Sequence, residues 1–105
     1  MEAIHNKLVR DRIPEIIEAK GQAPVYRVLP QEEYLAALDQ KLQEEMAEYL
    51  EDGSIEELCD ILEVVYAIAA ARGIAPDVLA RIREQKNAKN GGFERRYYLE
   101  KVVTL

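Results

Sequence analysis

The 105-residue sequence has one cysteine and one histidine. A lone Cys59 excludes an internal disulfide and any cysteine-built zinc site, and its expected role is helix packing. A lone His5 gives no basis for a histidine-ligated metal or a histidine-dependent catalytic triad. No apolar run exceeds the eight residues from Val64 to Ala71, against about 20 needed to span a bilayer. The opening MEAIHNKLVRDRIPE has no apolar signal segment. The expectation is a cytoplasmic protein with no membrane association. Basic excess is absent too. Lys and Arg total 14 against 20 Asp and Glu, a net charge of −6, which argues against a nucleic-acid partner because phosphate binding needs basic patches.

What is present suits one domain over residues 1–105, with apolar residues at 49% and charged residues at 32%. A chain this short buries a thin core alone, so oligomerisation is expected. The five glycines and four prolines fall between periodic stretches. Pro14 opens a short helix through Lys20, and Gly21 stops it. Val25–Leu29 is short, β-branched and aromatic, and reads as an extended segment or one edge strand. Leu35, Leu38, Leu42, Met46, Tyr49 and Leu50 recur at helical spacing and predict a helix over 31–51. Ser54 with Glu57 is a capping-box pattern that starts a second long helix, to about Arg72. Pro76 starts another, to about Ala88. Residues 93–104 read as extended. The fold class is all-α in the main. The short Asp52-Gly53 break permits antiparallel pairing of the two central helices.

Charge is unevenly distributed. Residues 31–63 hold twelve acids and one base, Lys41, whereas 81–105 hold seven bases and three acids. The acidic stretch contains Glu45-x-x-Glu48 and Glu57-x-x-Asp60. Residues three apart share a helix face, so each central helix presents a carboxylate pair. An antiparallel hairpin can bring the pairs together, where they repel unless a cation offsets them. Oxygen ligands without Cys or His select Mg²⁺ or Mn²⁺. At 100° per residue, Glu45 borders the apolar arc, Glu57 falls inside it, Asp60 sits at its edge and Glu44 points to solvent. Two plainer readings exist: acid-rich helix faces are commonly solvated, and Glu57 can fold back onto the Ser54 amide. The basic tail offers Arg83, Lys86 and Lys89 followed by Asn90-Gly91-Gly92. Those side chains suit a triphosphate clamp or simply complement the helix dipole. Lys7, Arg10, Asp11 and Arg12 form a dense polar cluster that helix amphipathicity does not explain.

Four motifs, taken together, resemble the MazG-like all-α nucleoside triphosphate pyrophosphohydrolases, a superfamily that includes phosphoribosyl-ATP pyrophosphohydrolase. They are Lys7-Leu8-Val9-Arg10-Asp11-Arg12-Ile13-Pro14, Lys41-Leu42-Gln43-Glu44-Glu45-Met46-Ala47-Glu48, Glu57-Leu58-Cys59-Asp60-Ile61-Leu62-Glu63 and Lys86-Asn87-Ala88-Lys89-Asn90-Gly91-Gly92-Phe93. The resemblance implies an antiparallel helical bundle that assembles as a homodimer or homotetramer. It implies Mg²⁺, with Mn²⁺ an alternative, held by Glu45, Glu48, Glu57 and Asp60, with catalytic roles for Glu44, Glu45 and Glu48. It implies phosphate contacts from Lys41, Arg83, Lys86 and Lys89, and further substrate contacts from Lys7, Arg10 and Asn90. The reaction implied splits a nucleoside triphosphate into a monophosphate and pyrophosphate. Phosphoribosyl-ATP as substrate, and a non-catalytic helical interaction module, are the alternatives. One departure stands out. Eight residues separate Glu48 from Glu57, shorter than the family's usual gap, and this makes Glu63 an alternative ligand.

Overall fold

A computed structural model describes all 105 residues. It contains four helices and no strand: α1 (Ile13–Ala19), α2 (Gln31–Asp52), α3 (Ile55–Ala71) and α4 (Pro76–Asn90). Each boundary has a local cause. Pro14 and Pro76 stand in the first turns of α1 and α4, where a missing N–H costs nothing. Ser54 is extended, and its side chain accepts a hydrogen bond from Glu57 N, capping α3. The break between α2 and α3 is two residues long. Gly53 takes φ +69° and donates its N–H to Tyr49 O at 2.7 Å, while Ser54 already begins the next helix. This left-handed conformation favours glycine because a Cβ crowds the following carbonyl.

The turn folds α3 back along α2. At the far end of the pair, Gln31 Nε2 donates to Ala71 O at 3.1 Å, so the first residue of α2 meets the last of α3. That bond also satisfies one of the carbonyls a helix C-terminus leaves open. Leu38, Val64 and Ala69 are the buried apolar residues, all on this hairpin. α4 packs on α3 and not on α2, and α1 makes no close backbone approach to another helix. None of the helices is long and apolar enough to cross a membrane.

One expectation is narrowed and another is corrected. Residues 25–29 and 93–104 form no strand. Their β-branched and aromatic residues have no second strand to pair with, and an isolated strand cannot satisfy its backbone. Cys59 is exposed rather than packed between helices. The radius of gyration is 18.7 Å and the long axis 67 Å, against about 13 Å for the radius of a compact domain of about 100 residues. Leu50, Phe93, Tyr97 and Tyr98 are each more than three-quarters exposed.

The hairpin is therefore the packed unit, shaped by the Gly53 turn and held chiefly by the buried Leu38. Gly53→Ala meets no atom within 4 Å, so its cost is backbone strain alone, about 1 kcal/mol. Leu38→Ala removes the most buried side chain and costs about 2–4 kcal/mol. Urea unfolding should rank wild type above Gly53→Ala above Leu38→Ala. Equal midpoints for wild type and Gly53→Ala would contradict the turn assignment.

Candidate functional site

The turn at Gly53 brings the C-terminal half of α2 against the start of α3. Carboxylate oxygens of Glu45, Glu57 and Asp60 lie within 4.8 Å of one another. Glu45 is 7% exposed and is the chain's one buried charged residue. Its Oε1 takes the Lys41 ammonium at 3.2 Å, one helical turn away. Its Oε2 is buried and has no partner, and neither has Glu57 Oε2. A buried carboxylate oxygen without a donor is costly. The capping box is only half made. Ser54 accepts from Glu57 N, but the Glu57 carboxylate turns toward the other acids instead of returning to Ser54.

Glu48 sits beside this group. Its carboxyl is held above the ordinary range, first by a hydrogen bond with the Glu45 carboxylate and then by the Glu45 charge. It also faces a purely acidic cleft of about 410 Å³ with Glu51, Asp52 and Glu57. Glu57 is pushed up to about 6, first by desolvation and then by the charges of Glu48, Asp60 and Glu45. Glu63 is exposed and stands outside the three-carboxylate group. The short gap between the pairs therefore still delivers Glu57 to the cluster.

Cations ring the acids, and most come from the chain's start. Lys7 Nζ donates to Glu44 Oε1 at 3.2 Å, and Arg10 Nη2 to Asp60 Oδ1 at 2.6 Å. Glu44 thus differs from its expected solvent-facing position. Lys7 and Lys41 both bind it, and against the opposing effect of desolvation they lower its pKa. Burial disfavours the Lys41 charge, but Glu45 and Glu44 more than offset this and raise its pKa. These contacts lie 37 and 50 residues apart in sequence, beyond the reach of any local pattern. The segment from Leu8 to Ile13 also walls a cavity of about 480 Å³ against Tyr34, Leu38 and Ala67. Arg83, Lys86, Lys89 and Asn90 lie elsewhere. They are exposed on α4 and make no side-chain ion pair or hydrogen bond within the chain.

Three hard oxygen donors, two of them with buried unpartnered atoms and none accompanied by Cys or His, fit a hard divalent cation. A stretch of 42 residues, 40% of this chain, is 64% identical to an uncharacterised protein of Mycolicibacterium smegmatis, and the match covers 43% of that protein. This chain thus matches less than half the length of that relative. No protein-family model and no solved structure matches the chain.

Glu57 supplies a pH signature. An acid with a folded pKa near 6, above its ordinary 4.5, binds its proton more readily when folded. The cost of ionising it is fully present above about pH 6 and fades as pH falls toward 4.5. Thermal unfolding in chelator should therefore show Glu57→Gln gaining on wild type between about pH 5 and about pH 7.5. A difference in Tm that is flat across that range would contradict the burial of this carboxylate.

Proposed function

We propose that the chain is a divalent-cation-dependent nucleotide pyrophosphohydrolase with its site at the α2–α3 turn. The observation that carries this reading is the pair of buried, unpartnered oxygens, Glu45 Oε2 and Glu57 Oε2, within a three-carboxylate group. A solvated acidic face would not bury its oxygens, so the same observation disfavours a purely non-catalytic interaction module. Glu45, Glu57 and Asp60 would hold Mg²⁺ or Mn²⁺, with Glu48 alongside. A cation there would supply water activation and charge stabilisation at phosphate.

The chain's own residues account for the rest. Lys41 neutralises Glu45 and Glu44 from within α2 and fixes the Glu45 rotamer. Glu48, with its raised pKa and its place at the mouth of the acidic cleft, is the group to accept the proton of the attacking water. Attack between the α- and β-phosphates gives a nucleoside monophosphate and pyrophosphate. The cavity behind residues 8–13 is about 480 Å³, within the ordinary range for small-molecule pockets, and its wall is mixed, with apolar side chains such as Leu8, Ile13 and Tyr34 beside the charged Arg10, Lys41, Glu45 and Asp60. Phosphoribosyl-ATP fits the same chemistry and is separated by competition between substrates.

The resemblance to the MazG-like superfamily supports a helical bundle completed by a second copy. So does the exposure of apolar side chains. Leu50 on α2 and Leu58, Leu62 and Tyr66 along α3 leave an apolar stripe uncovered, while three apolar residues are buried in the whole chain. Such a surface is characteristic of an association face.

Two outcomes check these proposals. With Mg²⁺ and a panel of nucleoside triphosphates, wild type releases pyrophosphate and Glu48→Ala with Asp60→Ala loses at least about a hundredfold in rate. No release from any nucleotide, or full activity in the double variant, would overturn the assignment. Sedimentation equilibrium should give a dimer or tetramer, and a monomer at all concentrations would overturn the bundle.

A further inference from the structure

Of the side chains expected to clamp phosphate, Lys41 stands at the carboxylates, whereas Arg83, Lys86 and Lys89 do not. Lys86 and Lys89 lie on α4, which packs on α3 alone. Lys7 and Arg10 reach the acids from a segment with no regular structure. Arg10 gives one of its five donors to Asp60, and its side chain is 56% exposed, so its remaining donors are free for a ligand.

We propose that Arg10, with Lys7 beside it, is the phosphate-binding element of this site, and that Asp60 holds Arg10 only until a divalent cation takes up the carboxylate charge. This rests on the cation-dependent phosphate chemistry proposed above. Without a cation, the guanidinium offsets part of the repulsion among Glu45, Glu57 and Asp60. A divalent ion among the same oxygens offsets it more fully and weakens the hold of Asp60 on Arg10. The released guanidinium is a planar fork that matches two phosphate oxygens, next to the ion that binds the same anion. The ligand class is a di- or triphosphate.

The two roles have opposite signs. Arg10 opposes the cation because both are positive at the same carboxylates, and it favours the anion. A merely structural Arg10–Asp60 pair would lose both affinities, or neither, when removed. The test uses the full chain without turnover. Free Mn²⁺ is followed by electron paramagnetic resonance, and imidodiphosphate, whose P–N–P bridge resists hydrolysis, is titrated calorimetrically at saturating Mn²⁺. Arg10→Gln should bind Mn²⁺ about fivefold more tightly, the size of an exposed ion pair. It should bind imidodiphosphate about tenfold more weakly, with Arg10→Lys between it and wild type. Weaker or unchanged Mn²⁺ binding in Arg10→Gln, or unchanged anion affinity, would overturn this proposal alone. Absence of Mn²⁺ binding by wild type would overturn the cation reading beneath it.

Discussion

A carboxylate buried between two helices, with one oxygen tied to a lysine and the other tied to nothing, constrains everything around it. Glu45 is placed there by α2 and covered by α3. Lys41 offsets its charge from one turn back, but Oε2 has no partner, and the carboxylate stands within 4.8 Å of those of Glu57 and Asp60. Every neighbour then carries a consequence. Glu48 keeps its proton more readily, Glu57 is driven toward neutrality by its own desolvation first and then by the surrounding charges, and a basic segment from the start of the chain binds Glu44 and Asp60. Folding alone gains nothing from this grouping of like charges. A divalent cation would resolve it, and the proposed phosphate chemistry would make use of that cation.

The scaffold for this site is economical. Two helices and a two-residue turn set the carboxylates, and the Gln31–Ala71 bond closes the opposite end. Outside the hairpin little is buried. α4 and residues 93–105 project with their side chains exposed, which is why the chain is half again as extended as its length requires. That shape and the uncovered stripe along α3 support the proposal that a second copy completes the core.

Much of this was legible in the residues. Helix limits follow from Pro14, Gly53, Ser54, Pro76 and Gly91, each of which acts within one turn of itself. The wheel position of Glu57 inside an apolar arc anticipated its desolvation, because burial on a helix depends on local angle alone. The basic segment was visible only as a cluster without a purpose. Its partners lie across the fold, and no periodicity encodes a contact between Arg10 and Asp60. The residues at 25–29 and 93–104 left open whether those extended segments pair as strands. Extended structure needs a partner strand, and the sequence around them provides none. The place of α4 was equally hidden, since its own pattern says that it is a helix and not which helix it will meet.

The role proposed for Glu45, Glu57 and Asp60 is to receive a hard divalent cation. Thermal unfolding with Mg²⁺ against chelator tests it most directly. At about a hundredfold excess over Kd, binding to the folded state adds about 2.7 kcal/mol and raises the Tm of wild type by on the order of 10 °C. Glu45→Gln and Asp60→Asn should lose most of that rise. No rise in wild type, or an equal rise in both variants, would contradict the account.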